Sequence, residues 1–194
     1  MKLIVDHADL DQIKEMFEYF PVSGVTTNPT IITRTGKDPY EVLKSIREFI
    51  GADAELHAQV ISSDAEGMMA EAKEMRETVG GNFYVKIPTT KEGLKAIKNL
   101  KKEGFKVTAT AVYTSIQAYL AAEAGADYVA PYLNRIDNLG YESRQHAISM
   151  ISLKTTDIRQ RFWQQASRIH SRYWNWQNMV WVQQQSLRMS SETL

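Results

Sequence analysis

Short apolar runs alternate with amphipathic segments over the first two thirds of the chain. Six runs rich in apolar and β-branched residues predict buried strands at 3–5, 24–27, 56–60, 83–87, 107–112 and 128–130. Apolar positions at helical spacing predict helices over 9–20, 39–50, 63–79 and 91–103. Asp9 and Asp64 stand where helix N-caps are expected. This alternation predicts an α/β protein with a parallel sheet built from βα units.

Periodicity alone leaves open whether this sheet is open or closed. An open, doubly wound sheet usually carries a glycine-rich phosphate-binding loop after its first strand. Residues 5–8 read Val-Asp-His-Ala and contain no glycine. The pattern therefore favours a closed (β/α)8 barrel, the TIM-barrel fold.

The composition of the chain changes near residue 140. All ten glycines lie at or before Gly140, and all five prolines lie at or before Pro131. The tail contains all four tryptophans but no glycine-bounded β-branched run to serve as a seventh or eighth strand. We therefore divide the chain into a barrel unit, 1–140, with strands 1 to 6, and an aberrant tail, 141–194. The barrel is expected to be incomplete, with open edges on strands 1 and 6 and a tail that is helical or coil.

Charge and composition exclude several classes of function. The 194 residues carry 23 basic and 23 acidic side chains, so no basic field exists to bind nucleic acid or an anionic membrane. There is no cysteine, and the four histidines lack the spacing of metal ligands. The apolar run at 3–5 is too short for a signal peptide or a membrane span. We expect a cytoplasmic protein without a metal, a nucleic acid partner or a membrane partner.

Lys86 is the strongest candidate for chemistry. In a (β/α)8 barrel the active site lies at the carboxyl ends of the strands, and Lys86 interrupts the apolar run Phe-Tyr-Val-Lys-Ile-Pro there. Burial favours the neutral amine, which is a nucleophile for carbonyl carbon. A lysine at a strand end can also extend its ammonium group to solvent. Spacing alone does not choose between these two interpretations.

The other polar strand ends also have ordinary structural interpretations. Asp6 can brace the first loop, and Asn28 before Pro29 is a common turn pair. Gln59 can hydrogen-bond backbone groups of the barrel, and Thr110 is a common strand residue. Tyr132 can serve packing alone, and Arg135 can be a solvated or salt-bridged surface residue. Taken singly, none of these residues identifies a reaction.

Taken together, these residues lie in four motifs that occur in the order of a known family. The motifs are GVTTNPT at 24–30, VKIPT at 85–89, TAVY at 110–113 and YVAPYLNR at 128–135. They resemble the small transaldolase and fructose-6-phosphate aldolase family over residues 1 to about 140. Transaldolases proper tend to carry Glu and Phe where Gln59 and Tyr132 stand, so this pair resembles the aldolase branch.

The resemblance implies a class I aldolase that needs no metal and no organic cofactor. Lys86 would form a Schiff base with a ketose and cleave fructose 6-phosphate into dihydroxyacetone and glyceraldehyde 3-phosphate. Tyr132 would be the acid and base, acting through a water held by Gln59 and Thr110. A transaldolase would transfer the same three-carbon unit to another aldose.

The resemblance also implies the contacts that hold the sugar phosphate. Asp6 and Asn28 would hydrogen-bond the substrate hydroxyls and the Schiff-base region, with Thr27 beside them in the binding motif. Arg135 would bind the phosphate through a bidentate contact. Family members form large homo-oligomeric rings, and the altered tail predicts that this assembly is lost.

The tail itself resembles family sequence read in another frame. Trp and Met have single codons that end in G, so each fixes part of a shifted codon: Trp163-Gln164 gives Ala and Met179-Val180 gives Gly. With allowed codons elsewhere, 161–187 can be read as VLAASFKNSQQVLELAKYGVGAAAVT, which resembles the family's seventh strand, helix and eighth strand. We predict a frame shift between about 140 and 161. The alternative to an active enzyme is then a catalytically dead product of a shifted gene.

Overall fold

Six parallel strands form most of the sheet. A computed structural model describes residues 2–132, 161–165 and 179–183 of the chain. The six strands pair in chain order and are β1 Lys2–Asp6, β2 Val22–Thr26, β3 Glu55–Gln59, β4 Phe83–Pro88, β5 Val107–Val112 and β6 Tyr128–Pro131. The predicted barrel class, with six parallel βα units, is confirmed.

Helices connect these strands and cover the outer face of the sheet. They are α1 Leu10–Tyr19, α2 Pro29–Thr33, α3 Pro39–Ile50, α4 Ala65–Val79, α5 Lys91–Lys102 and α6 Ser115–Glu123. Asp9 and Asp64 cap α1 and α4 as predicted, each accepting a hydrogen bond from a first-turn backbone N–H. The sequence pattern missed α2, which is only five residues long. It also missed α6, whose apolar residues do not keep to one face, since Ile116 and Leu120 are exposed.

Two further strands from the tail close the barrel. β7, Arg161–Gln165, pairs in parallel with β6, and β8, Met179–Gln183, runs antiparallel between β7 and β1. The described residues contain six βα units, as predicted for an incomplete (β/α)8 barrel. Because β7 and β8 pair with β6 and β1, however, the expectation of open edges on strands 1 and 6 is wrong, and so is the expectation of helix or coil at these ten residues. β7 contains two aromatic residues, and β8 contains an aromatic residue between two valines, which favours strands. Pairing also satisfies backbone groups that open edges would leave exposed. The division at residue 140 stays a prediction.

Side chains from the sheet pack in two separate regions. Residues on the outer face, such as Leu56, Val85 and Ile87, pack against the helices in one large apolar core. Residues on the inner face alternate with them, and Ile4, Tyr84 and Tyr128 form a smaller cluster inside the barrel. Polar residues share this interior, because Glu55, His57 and Thr108 are each at most 2% exposed. The described part of the barrel interior therefore holds titratable groups beneath the strand ends.

A bulge interrupts β5 where the strand reaches the mouth of the barrel. Its register with β6 shifts between Ala109 and Val112. Ala111 lies in this interval with φ of 54°, the left-handed region that residues with a side chain seldom adopt. A bulge re-aims the side chains next to it, and Thr110 is the residue immediately before Ala111.

The strain at Ala111 predicts how substitutions at this position affect stability. We expect Ala111→Val to lower the free energy of unfolding by about 2 kcal/mol, because a β-branched side chain fits poorly at positive φ. Ala111→Gly should lose far less, since glycine adopts this conformation freely. Urea unfolding measures both changes. Ala124→Val, at φ of −70°, is the control, and equal losses for Val and Gly at position 111 would contradict the strained bulge.

Candidate active site

Lys86 lies buried at the carboxyl end of β4. Its side chain is 6% exposed, so in this structure it does not extend to solvent. The Nζ atom donates hydrogen bonds to Thr26 Oγ1 at 2.9 Å and to the carbonyl oxygen of Thr27 at 2.7 Å. The strand register places Gln59 of β3 beside it on one side and Thr108 of β5 on the other. Three neighbouring strands therefore fix where the amine lies.

Burial shifts the pKa of Lys86 and the pKa of Asp6, the carboxyl group whose charge acts on Lys86. Desolvation lowers the pKa of Lys86, and the negative charge of Asp6 opposes this shift. Desolvation raises the pKa of Asp6, and the charges of Lys86 and His7 oppose that shift. Burial thus favours the uncharged forms of both groups, while their mutual attraction favours the ion pair. An amine balanced in this way can supply a lone pair for covalent chemistry.

Tyr132 and Thr110 form a second polar pair at the mouth of the barrel. Thr110 Oγ1 donates a hydrogen bond of 3.3 Å to the phenolic oxygen of Tyr132. The ring of Tyr113 packs against the ring of Tyr132 with centroids 5.5 Å apart. The backbone N–H of Tyr132 donates to the carbonyl oxygen of Val112, which attaches the residue to the end of β5. The phenol is thus held from two sides.

The remaining predicted residues occupy different kinds of position. Asn28 caps α2, with Oδ1 accepting from the backbone N–H of Ile31 at 3.0 Å, which agrees with the turn interpretation. The hydroxyl of Thr27 donates to the carbonyl oxygen of His57, so its backbone rather than its side chain contacts Lys86. Gln59 is partly buried beside Lys86. Arg135 lies outside the described residues.

Sequence reasoning missed several residues around this site. Thr26 lies within the motif at 24–30 but was given no role of its own, although it contacts the Lys86 amine directly. Sequence reasoning also assigned no role to Tyr113, Glu55 or His57. A period of two was the available signal, because residues 55, 57 and 59 are all polar in a strand whose intervening residues are apolar.

An interior polar cluster lies inside the barrel on the amino-terminal side of Lys86 and consists of Lys2, Glu55, His57, Tyr128 and Thr108, of which Thr108 is in register with Lys86. Lys2 forms an ion pair with Glu55, and the phenol of Tyr128 donates to both Glu55 oxygens at 3.1 and 3.2 Å. His57 Nε2 lies 3.4 Å from Glu55 Oε2, and its Nδ1 lies 2.9 Å from Thr108 Oγ1. The cluster therefore joins four strands across the barrel.

The two central groups of this cluster, His57 and Glu55, both have lowered pKa values, for different reasons. Burial lowers the pKa of His57 to about 4, against the opposing effect of Glu55. Burial alone would raise the pKa of Glu55, but hydrogen bonds from His57 and Lys2 outweigh it and lower the pKa to about 2. At neutral pH the imidazole is therefore uncharged and the carboxylate is ionised.

The fold and this site define an α/β barrel with a buried lysine at its strand ends. The model of the family described as "Transaldolase/Fructose-6-phosphate aldolase" matches residues 3–191. The chain belongs to this family.

Two curated relatives agree with this assignment. A protein of Streptococcus pneumoniae named "Probable fructose-6-phosphate aldolase" is 49% identical over 144 residues, which is 74% of this chain and 65% of the relative. A protein of Methanococcus maripaludis named "Probable transaldolase" is 46% identical over 142 residues, 73% of this chain and 65% of the relative. The matched region thus spans just under two thirds of the length of either relative.

A solved structure gives independent support for the fold. It is a protein of Sinorhizobium meliloti, described as a "putative isomerase", with a TM-score of 0.60 and 9% sequence identity. The match covers 84% of this chain and 42% of the solved one. At this identity the likeness concerns the fold alone.

The described residues contain neither a membrane-spanning helix nor a metal-binding cluster. None of their helices is both long and apolar enough to cross a membrane. Nor do residues 2–132, together with the two tail strands, contain three or more His, Cys, Asp or Glu side chains grouped to hold a metal ion.

The lowered pKa of His57 predicts how stability depends on pH. The unfolded chain takes up a proton at this residue below about pH 6.5, whereas the folded chain does so only near pH 4. We expect the free energy of unfolding to fall by about 3 kcal/mol between these pH values because of His57. Glu55 acts in a lower window, since its contribution is lost as the pH falls from 4.5 to about 2.

Urea unfolding of the native chain and of His57→Gln, from pH 7 to pH 4, measures this effect. Both chains keep the other three histidines, so the difference between the two curves isolates His57. The native chain should lose about 3 kcal/mol more than the variant across this range. Parallel curves would contradict the assignment of an uncharged imidazole.

Proposed function

We propose that this protein is a class I aldolase that cleaves fructose 6-phosphate into dihydroxyacetone and glyceraldehyde 3-phosphate through a Schiff base on Lys86. The buried amine of Lys86, in hydrogen-bond contact with Thr26 and Thr27, is the observation that carries this proposal. The printed name of the S. pneumoniae relative supports the choice of substrate. The residues Gln59 and Tyr132 support the aldolase rather than the transaldolase branch.

The chemistry needs an amine that is uncharged when substrate arrives. The Nζ lone pair attacks the ketose carbonyl carbon, the carbonyl oxygen takes up one proton from Nζ and one from a proton donor, and loss of water leaves a cationic iminium. Electrons of the bond between carbons three and four then move into the iminium, and the aldehyde fragment departs as its hydroxyl loses a proton. Protonation of the resulting enamine and hydrolysis release dihydroxyacetone and restore the amine. Desolvation of Lys86 favours the first step because it lowers the pKa of the amine.

Tyr132 is the proposed proton donor and acceptor in these steps. Carbinolamine dehydration and iminium hydrolysis each need a proton delivered at a fixed place. The hydroxyl of Thr110 donates to the Tyr132 oxygen and so holds the phenol in one orientation. Gln59, beside Lys86 in the register, would bind the water through which the proton moves.

Substrate recognition is assigned to polar groups around the mouth. Asp6 faces the charge of Lys86 and would hydrogen-bond the hydroxyls nearest the Schiff base. Asn28, at the start of α2, and the backbone of Thr27 would complete this side of the pocket. Arg135 is the proposed phosphate ligand, because a guanidinium group binds phosphate through two parallel hydrogen bonds.

A transaldolase is the second candidate, and the M. maripaludis relative favours it. That relative is named "Probable transaldolase" at 46% identity, close to the identity of the other relative. The same enamine would attack the aldehyde of a second sugar phosphate instead of being protonated and hydrolysed. Adding erythrose 4-phosphate to fructose 6-phosphate distinguishes the two, because a transferase then forms the seven-carbon ketose without releasing dihydroxyacetone, whereas an aldolase releases dihydroxyacetone even when no acceptor is added.

Borohydride trapping tests the Schiff base directly. With dihydroxyacetone, the native chain should gain a reduced three-carbon adduct on Lys86, located by peptide mass spectrometry. Lys86→Met should gain none, because it lacks the amine. Lys98→Met changes an exposed lysine of α5 and should be trapped like the native chain. A folded native chain without an adduct would support the dead-chain alternative.

Removal of the Tyr132 hydroxyl should slow turnover without abolishing trapping. Tyr132→Phe keeps the ring packed against Tyr113 but loses the proton carrier and the hydrogen bond from Thr110. We expect kcat for fructose 6-phosphate cleavage to fall by about 100-fold or more, with KM little changed. A coupled assay of glyceraldehyde 3-phosphate release measures both constants. If Tyr132→Phe kept the native kcat, Tyr132 would not be the proton donor and acceptor.

A further inference from the structure

The interior polar cluster extends from Thr108, the register partner of the proposed nucleophile, towards the amino ends of the strands. On β3, His57 precedes Gln59 by two residues, and the register pairs these residues with Tyr84 and Lys86 of β4. Two residues along a strand correspond to about 6.6 Å. Thr108, which contacts His57 Nδ1, is itself the register partner of Lys86 on β5. His57 therefore lies under the floor of the pocket. It belongs to β3, on one side of Lys86, and contacts Thr108 of β5, on the other side.

The imidazole of His57 has a neighbour at each of its two nitrogens and aromatic rings against one face and one edge. Glu55 lies beside Nε2 and Thr108 beside Nδ1. Tyr84 stacks on the ring with centroids 4.5 Å apart and planes 13° apart, and Tyr128 packs edge-on at 5.6 Å. The ring is fully buried. The close approach of β2 adds to this packing, because a Cβ at Gly24 would lie 2.2 Å from the Glu55 carbonyl oxygen.

Contacts with an ionised Glu55 select one form of the imidazole. A neutral ring that donates from Nε2–H to the carboxylate leaves Nδ1 as an acceptor for the Thr108 hydroxyl. The charge of Lys2 balances that of Glu55, so the cluster carries no net charge in this form. The titratable groups on the interior face of the described strands around His57 are Lys2, Asp6, Glu55, Tyr84, Lys86 and Tyr128.

We propose that His57 is a positioning residue for Lys86. The uncharged imidazole of His57, fixed between Glu55 and Thr108, supports the pocket floor and keeps a second cation away from the iminium. This inference rests on the proposed Schiff-base function. The charge of Lys86 is one of the causes that lower the pKa of His57. Such coupling is reciprocal, so a protonated His57 disfavours a cation at Lys86 by the same free energy. The iminium is a cation at that position, and it forms best above an uncharged His57.

Two substitutions separate the hydrogen bonds of His57 from its ring. His57→Gln keeps a neutral donor and acceptor and cannot ionise, whereas His57→Phe keeps a ring between Tyr84 and Tyr128 but loses both polar contacts. We expect His57→Phe to lower the maximal rate of borohydride trapping with dihydroxyacetone by tenfold or more at pH 7. The dihydroxyacetone concentration that gives half of the maximal rate should change little. His57→Gln should stay within about threefold of the native rate.

The pH dependence provides a readout that loss of packing alone would not change. On going from pH 7 to pH 4, trapping of His57→Gln relative to the native chain should rise about twofold, because about half of the native His57 rings become cationic at pH 4. In Lys2→Met, the loss of trapping on acidification should occur at a higher pH than in the native chain, since the charge of Lys2 lowers the pKa of His57. Circular dichroism at each pH restricts the comparison to folded protein.

Nuclear magnetic resonance of the His57 ring tests the coupling without turnover. The pKa of His57 should rise in Lys86→Met, which lacks the repelling cation, and should not change in Lys98→Met. Native trapping rates in both His57 variants at every pH, or an unchanged His57 pKa in Lys86→Met, would overturn the proposal. Absence of an adduct on the native chain would instead overturn the proposed function, so the two failures are distinguishable.

Discussion

The structure depends on one costly requirement, which is to hold a lysine amine inside a parallel barrel. Lys86 is nearly inaccessible to solvent, and removing its charge from water is unfavourable unless partners compensate. Thr26 and Thr27 accept its hydrogen bonds, and Asp6 supplies the opposing charge. All three partners lie at or next to the carboxyl ends of neighbouring strands. The parallel arrangement therefore brings the compensating groups to one place without any long loop.

The outer face of this barrel was predictable from sequence, whereas its inner face was only partly so. Apolar runs such as 83–87 mark buried strands whatever occupies the barrel, so six strands and the place of Lys86 could be predicted. Glu55 and His57 were overlooked because single charged residues in a strand are usually solvated. Their partners, Lys2, Thr108 and Tyr128, are distant in sequence, so only the closed sheet brings them together.

The tail strands show the limit of turn chemistry as a guide. The absence of glycine and proline after residue 140 indicated that no strand would follow, yet β7 and β8 both form. Glycine and proline mark where strands end, while β-branched and aromatic side chains favour the strands themselves. Val180 and Val182 provided that second signal. Without these segments the edges of β1 and β6 would be unpaired, which is a strong reason for the segments to pair with them.

The direction of β8 changes what the eighth position of the barrel brings to the pocket. Each parallel strand ends at the mouth, as β1 does with Asp6 and β3 with Gln59. Since β8 is antiparallel to β1, it begins there, and Met179 is its residue opposite Val5. The eighth position of the barrel therefore presents the amino end of a strand at the rim where β1 and β3 present their carboxyl ends, so the chain enters β8 at the mouth and leaves it at the opposite end.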